Sequence, residues 1–180
     1  MWKAAERCLW ALGILAIGYC GFIGLNAERS QIQGRHELEH PSFTSTAPRA
    51  GDVVGQLEIP RLGLSTVVFE GAGNDVLDRG AGHLTGSALP GDRGNTVLAA
   101  HRDTFFRPLR NVRVGDQVKI HGHVKDSVYV VESTMVVEPE DTYVLEATAR
   151  PALTLITCYP FRYIGPAPER FIVRAVLAQP

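Results

Sequence analysis

From residue 52 onward the sequence consists of short apolar segments rich in β-branched residues, and this pattern limits the possible folds more than any other feature. The segments are separated by Gly, Pro, Asn or Asp, which favour turns. Such a series is typical of an all-β barrel or sandwich. We predict a mixed β-barrel of seven or eight strands, with candidates at residues 54–59, 65–69, 96–100, 117–121, 127–137, 152–158 and 171–177.

Short helical turns are expected in three connections between these strands, at residues 74–78, 103–109 and 140–145. Asn74 is the candidate N-cap of the first turn, because its side-chain oxygen can accept a hydrogen bond from the backbone that follows it. The expected fold is therefore mainly β, with short helices in its connections.

The amino-terminal segment at residues 8–25 has no charged residue. An apolar helix of this length just spans a hydrocarbon core of about 30 Å. Lys3 and Arg7 precede it, and basic residues at this end favour a cytoplasmic stub at residues 1–7. We predict one transmembrane anchor with the rest of the chain on the outer side of the cytoplasmic membrane.

The alternative for this segment is a cleaved signal peptide, whose apolar region is usually about 7–15 residues long and ends in a small-x-small site. Residues 25–27 read Leu-Asn-Ala, which places a large side chain where a small one belongs. The segment is therefore predicted to remain as an uncleaved, single-pass anchor.

The rest of the chain divides into a linker and one domain. Residues 26–51 are polar and lack a sustained apolar period, which favours an extracytoplasmic linker. Residues 52–180 are long enough for one globular domain. The net charge of −1 gives no basic footprint, so we expect no nucleic-acid partner.

The chain has three cysteines, and only Cys158 lies outside the apolar amino-terminal segment. It has no thiol partner in its own domain, so its chemistry depends on other neighbours. It ends the apolar run Leu-Thr-Leu-Ile-Thr at 153–157, which is typical of a buried strand. A Pro- and Gly-containing loop follows, and then the strand at 171–177 begins.

Three arginines follow this cysteine. If the last two strands pair antiparallel with Cys158 opposite Arg170, the two side chains lie on one face about 4.5–5.5 Å apart at their Cβ atoms. Arg174 points to the same face but pairs near Thr154, and Arg162 lies in the loop. Arg170 is therefore the favoured partner of the thiol's substrate.

His101 ends a second apolar strand, at 96–100, and a charged, turn-prone Arg-Asp pair follows it. Side chains at strand ends are held by a rigid scaffold yet reach solvent and substrate. A Cys, a His and an Arg in such positions meet the needs of acyl transfer, which are a thiolate nucleophile, an acid for the leaving amine and a cation for the oxyanion.

These residues resemble the sortase signature. The resemblance is carried by the Thr-Leu-Ile-Thr-Cys run at 154–158, by Ala-His at 100–101 and by the arginine twelve residues after the cysteine. The Leu-Glu-Ile-Pro segment at 57–60 and the amino-terminal anchor are also similar. The Cys-Tyr-Pro-Phe continuation at 158–161 is most like class D sortases, with class E and the single sortases of Gram-negative bacteria as alternatives. Ala100 stands where many members have Gly.

The resemblance implies an eight-stranded barrel and a two-step reaction. It assigns His101 as the acid/base, Cys158 as the nucleophile and Arg170 as the residue that binds the oxyanion and positions the substrate. The implied substrates are secreted proteins with a carboxyl-terminal Leu-Pro-x-Thr-Gly-like sorting signal. The implied acceptor is an amine from a cell-wall precursor or a pilin lysine, beside the membrane lipid that holds the anchor.

Cofactors are not expected. The segment before the strand at 152–158 corresponds to the loop that helps sortases recognise the sorting signal, and it contains acidic residues that could supply oxygens to calcium: Glu138, Glu140, Asp141 and Glu146. Their spacing is not compact. His121 and His123 could share one side of a strand, but no third metal ligand is evident, and His36 and His40 lie in the linker. His83 lies in a Gly-rich stretch without an assigned role.

Two competing functions use similar residues. A sortase-like domain could bind peptides without catalysis, as a membrane-tethered assembly subunit. An L,D-transpeptidase of peptidoglycan also uses Cys and His on a β-rich domain, but it needs a His-Gly-x-Cys-type element, which this sequence lacks.

Overall fold

The computed structural model describes residues 2–39, 48–122 and 125–178 and contains a closed barrel of eight strands. The strands are β1 (Val53–Ile59), β2 (Leu64–Glu70), β3 (Ala81–His83), β4 (Asn95–Ala99), β5 (Gln117–Gly122), β6 (Asp126–Val137), β7 (Ala152–Tyr159) and β8 (Glu169–Leu177). Their order around the barrel is β1-β2-β3-β4-β7-β8-β6-β5, and β5 closes onto β1. Neighbours are antiparallel except β2–β3 and β4–β7.

The predicted β-barrel is confirmed, and all seven predicted strands are present within one or two residues of their expected ends. The strand that the pattern did not reveal is β3, which has only three residues, two of them Gly82 and His83. Gly82 is required there, because a Cβ would lie 2.3 Å from the carbonyl oxygen of Gly71. So short a strand has no period that a sequence pattern can show.

Short helices occupy the connections, as expected. They are α2 (Asn74–Leu77) and the 3₁₀ helices Pro60–Leu62, Arg107–Asn111 and Thr142–Leu145. The predicted cap is wrong, because Gly73 is the N-cap residue of α2 and Asn74 is the first helical residue. The helical turn predicted at 103–109 is observed further along the chain, at Arg107–Asn111. Pro108 lies in its first turn, because proline starts a helix more readily than it continues one.

The barrel interior is apolar. Alternate residues of each strand point inward, and among those fully buried are Leu57, Leu98, Ile120, Leu153 and Leu155. Phe106, from the connection after β4, is fully buried in the same core. Burying one such side chain contributes about 1.5–3 kcal/mol, so these residues dominate the stability of the barrel. Because side chains fill the interior, a binding or catalytic site has to lie on the outer face of the barrel.

The amino-terminal helix α1 runs from Trp2 to Glu39 without a break. It contains one segment that is long and apolar enough to cross a membrane, with a mean hydropathy of 2.0 in a window that the rest of the protein leaves exposed. The helix does not end after residue 25, so the first half of the segment predicted as a linker is helical. Residues 40–47, including His40, lie outside the described part of the chain.

The last turns of α1 pack on the outside of β2. Gln31 donates from Nε2 to the carbonyl of Arg79 (2.6 Å) and accepts at Oε1 from the amide of Val67 (2.8 Å). Gly34 is buried, and a Cβ there would lie 2.7 Å from Val67 Cγ1. Leu38 packs against the same outer cluster of β1 and β2. The helix is thus docked onto the barrel by residues that follow the predicted anchor at 8–25.

Asp116 is a buried carboxylate in the turn before β5. Arg61 donates to it from Nε and, at 2.6 Å, from Nη2, and the Arg113 amide donates at 2.8 Å. The hydrogen bond from Arg61 holds the pKa of Asp116 below its ordinary value, against the opposing effect of burial. A carboxyl whose pKa is lower in the folded protein stabilises the fold above the unfolded pKa, and this contribution is lost as the pH falls through the folded pKa.

Asp116→Asn is therefore expected to lower the Tm of the full chain in detergent by about 3–5 °C at neutral pH. Asp126→Asn is the matched control, because the Asp126 side chain is 66% exposed and its substitution should change Tm by less than about 1 °C. The gap between wild type and Asp116→Asn should close as the pH falls below about 4. A gap that stays constant into stronger acid would contradict this role.

Candidate active site

Three adjacent strands bring the predicted site residues into one row. In the parallel pair β4–β7, Ala99 lies opposite Ile156, and the Ala100 amide still donates to the Ile156 carbonyl. If the chain keeps this spacing for the two residues after the end of β4, His101 comes level with Cys158. In the antiparallel pair β7–β8, Cys158 lies directly opposite Arg170. The register that sets Cys158 opposite Arg170, which the sequence analysis took as a condition, is the one observed. Strand β7, with Cys158, lies between the other two strands.

All three side chains lie on the outer face of the barrel. Leu98 of β4, Ala100 directly after it and Leu155 of β7 belong to the inner core. Since side chains alternate along a strand, His101 and Cys158 point away from that core. Both residues are half-buried, as a reactive group needs if it is to be held by the fold yet reach a substrate.

The backbone between β4 and β7 fixes the end of the first strand. The Ala100 amide donates to the Ile156 carbonyl at 3.2 Å, and Thr157 Oγ1 donates to the Ala100 carbonyl at 2.7 Å. Thr157 is buried and points inward, on the opposite face from Cys158. The second threonine of the Thr-Leu-Ile-Thr-Cys run therefore anchors the residue before His101.

Asp78 is a neighbour of the histidine that the sequence analysis did not identify. Its Oδ1 lies 3.3 Å from His101 Nε2, and the two side chains are 61% and 36% exposed. It is the C-cap residue of α2, in the crossover between the parallel strands β2 and β3. No local pattern relates the two positions, because the pairing of β3 with β2 and with β4 is what brings α2 to the end of β4.

Arg170 is oriented by its own loop. Its Nη1 donates to the carbonyls of Ala167 (3.2 Å) and Glu169 (2.9 Å). These bonds use one of the three guanidinium nitrogens and hold the group at the edge of the site. A fixed cation in this position suits a developing oxyanion, because arginine does not lose its proton.

The two other arginines after Cys158 have different surroundings. Arg174 lies opposite Thr154, as predicted, and donates to Thr154 Oγ1 at 2.6 Å and to the Val144 carbonyl at 3.3 Å. Burial lowers the pKa of Arg174 below its ordinary value. Arg162 is exposed in the loop between β7 and β8. Arg174 is thus part of the scaffold, and Arg162 lies away from any strand pairing.

Arg102 links the chain segment after β4, which contains His101, to the loop after Cys158. It follows His101 and donates from Nη2 to the carbonyls of Tyr163 (2.8 Å) and Gly165 (3.3 Å) in the loop between β7 and β8. Its guanidinium also lies 5.8 Å from the centre of the Tyr163 ring. The sequence showed this arginine only as part of a turn, because its partners lie about sixty residues away.

The loop after Cys158 is held from inside by aromatic rings. Phe161 and Phe171 pack edge to face with centroids 5.3 Å apart, and Tyr159 stacks on Phe171 at 6.1 Å. Phe161 and Phe171 pack against the barrel core. The Cys-Tyr-Pro-Phe continuation therefore ties the nucleophile's strand end to the core.

The predicted recognition loop, between β6 and β7, lies on the same outer face. Asn95 Nδ2 donates to the carbonyls of Val144 and Glu146, both at 3.1 Å. Val144 also packs on the outer surface of β6 and β8 with Val137 and Ile172. The loop thus packs near Ile156 and Ile172, which lie two residues from Cys158 and Arg170 along their strands.

The histidines singled out without a role have mostly structural surroundings. His83 is buried in β3, where Nδ1 lies 2.6 Å from Glu70 Oε2 and Nε2 lies 2.9 Å from Ser87 Oγ. His121 contacts Asp126 at 3.0 Å, and His123 lies outside the described residues. Within the ranges that the structure describes, no three His, Cys, Asp or Glu residues are grouped to hold a metal ion.

The family model, the related sequences and the solved structures that match this chain are all of one family. The family model for the sortase domain matches residues 57–178. Sortase D of Bacillus subtilis is 36% identical over 96% of this chain and 97% of that protein. A Clostridium perfringens sortase D5 transpeptidase superimposes with a TM-score of 0.74 at 26% identity, covering 86% of this chain and 99% of that one. A Clostridium perfringens sortase C, solved with the C-terminal cell wall sorting motif, gives 0.67 at 26% identity over 90% and 96% of the two chains.

Proposed function

Because this chain belongs to the sortase family and is a cysteine transpeptidase, we propose that it cleaves a Leu-Pro-x-Thr-Gly-like sorting signal and transfers the cargo to an amine. The observation that carries the assignment of roles is the row of His101, Cys158 and Arg170 across three adjacent strands. Each role in acyl transfer then has one residue of the right chemistry on one face.

In the first step the Cys158 thiolate attacks the carbonyl carbon of the signal's threonine. The Arg170 guanidinium stabilises the oxyanion, since its orientation is set by the carbonyls of Ala167 and Glu169. The carbon–nitrogen bond then breaks, and protonated His101 gives its proton to the leaving nitrogen. The products are a thioester on Cys158 and a free amino group on the rest of the signal.

In the second step an acceptor amine attacks the thioester carbonyl. Neutral His101 takes the proton from that amine, the carbon–sulfur bond breaks, and the thiolate is regenerated. The new amide joins the cargo to the acceptor, and a cell-wall precursor or a pilin lysine has the required amine. No step needs a metal or cofactor.

We place the enzyme at the cytoplasmic membrane, with residues 8–25 as a single-pass anchor and the barrel outside. Lys3 and Arg7 before the span support this orientation. Secreted proteins held in the same membrane by the end of their sorting signal are then the partners. The domain boundaries at residues 1–7, 8–25, 26–51 and 52–180 stay predictions, with the qualification that α1 continues to Glu39.

A trapped thioester tests the proposal. The full chain in detergent is mixed with a Leu-Pro-Ala-Thr-Gly peptide without an amine, and intact mass spectrometry should show one adduct, mapped to Cys158 and lost when triglycine is added. Cys8→Ser and Cys20→Ser provide matched controls and should form the same adduct. A protein that binds the peptide without an adduct would instead be a non-catalytic binding module.

A further inference from the structure

An open groove of about 420 Å³ lies between α1 and the barrel, beside the row of site residues. His101 and Asp78 line it at the site, and Gly24 and Ala27 line it on the helix. Phe105 and Ser65 continue its wall into a second hollow further along α1. The volume is in the usual range for a ligand site, about 300–1,000 Å³.

The geometry points to this groove as the subsite for the part of the sorting signal that follows the scissile bond. This inference rests on the proposed function and adds to it the path of the leaving chain. His101 gives its proton to the leaving nitrogen, so the chain that begins at this nitrogen must start beside the imidazole. The groove begins at that imidazole.

The other end of the groove fits the destination of the chain. Gly24 lies at the end of the uncharged segment 8–25, where the proposed anchor leaves the bilayer. A sorting signal that is held in the same bilayer has to run from the scissile bond to the lipid. The groove links these two points along α1, whose docking on β2 through Gln31 and Gly34 keeps it at the site.

The charge near the bond also suits this occupant. Asp78 lies 3.3 Å from His101 Nε2 in the groove wall and is 61% exposed. Its carboxylate attracts the amino group that cleavage releases, and the attraction is modest because the side chain is mostly exposed to solvent. An acceptor amine has the same group, so the experiment must separate the leaving chain from the acceptor.

Gly24 offers a way to fill the groove without disturbing the fold. A Cβ at Gly24 meets no atom within 4 Å, and the same is true of Gly21, one turn earlier. Gly24 lines the groove, and Gly21 is not part of its lining. Gly24→Leu should therefore narrow the groove, and Gly21→Leu is a control with the same change of helix propensity and of apolar surface.

The test uses the full chain in phospholipid nanodiscs and two peptides. One ends as the amide of the glycine in Leu-Pro-Ala-Thr-Gly, and the other continues for five neutral residues. Wild type is expected to form the thioester with the longer peptide about tenfold more efficiently, in kcat/KM, than with the shorter one. Gly24→Leu should lose this advantage and keep its activity on the shorter peptide, and Gly21→Leu should match wild type on both.

Several results would overturn the inference. Equal losses on both peptides, or no loss on either, would show that the groove does not hold the leaving chain. A Gly24→Leu defect confined to the step that triglycine accelerates would assign the groove to the acceptor instead. If wild type cleaves neither peptide and forms no adduct at Cys158, the proposed function fails and the inference with it. Cleavage of the short peptide with no gain from the extension overturns the inference alone.

Discussion

Cys158→Ala is expected to abolish both cleavage of the sorting-signal peptide and transfer to triglycine, with a loss of on the order of 10⁴-fold or more in kcat/KM. The substitution removes the atom that forms the thioester, and neither His101 nor Arg170 can replace it as a nucleophile. Peptide cleavage is followed by chromatography and transfer by product mass.

The loss should occur without unfolding. Cys158 is half-buried at the end of β7 and lies outside the apolar cluster that fills the barrel. The Tm of the Cys158→Ala variant should therefore stay within a few degrees of wild type. Cys20→Ser, in the exposed part of α1, should keep full activity. Activity of Cys158→Ala above about a hundredth of wild type would exclude Cys158 as the nucleophile.

The pairing of Cys158 with Arg170 could be considered from the sequence because one loop joins the two strands and their apolar pattern limits the possible registers. A slip by one residue would turn either Leu155 or Val173 out of the core, so only registers that keep the parity are stable. Sequence spacing and alternation therefore reduce the register of neighbouring antiparallel strands to a few choices.

The position of His101 beside Cys158 could not be derived in the same way. Strands β4 and β7 are parallel neighbours, but the chain between them contains two other strands and two 3₁₀ helices. Only the closed order of the barrel decides that they meet. The same holds for Asp78, which reaches His101 from the crossover between β2 and β3.

The docking of α1 on the barrel could not be predicted from the sequence for a different reason. Its contact face consists of Ala27, Ser30, Gln31, Gly34 and Leu38, which recur at helical spacing but are mostly small or polar. A search for apolar residues that recur at helical spacing does not detect such a face. Close packing at Gly34 and the paired bonds of Gln31 replace the apolar contacts of an ordinary amphipathic helix.

The choice among the three arginines leads to the second large effect. Arg170→Ala is expected to lower kcat/KM for peptide cleavage by about 10²–10³-fold, since removal of one oxyanion donor typically has this cost. Arg170→Lys should recover only part of the loss, because an ammonium cannot reproduce the fork of donors that a guanidinium presents. The acyl-enzyme step is measured by the rate of adduct formation on Cys158.

Two matched variants separate catalysis from scaffolding. Arg162→Ala should behave like wild type, since that side chain is exposed in the loop. Arg174→Ala should lower Tm, because it removes the bonds from Arg174 to Thr154 and to the loop carbonyl of Val144. If Arg174→Ala slowed adduct formation by more than 10²-fold with an unchanged Tm, while Arg170→Ala remained active, the oxyanion role would pass to Arg174. The strand register opposes that result, because it places Arg170 level with Cys158 and Arg174 four residues deeper along β8.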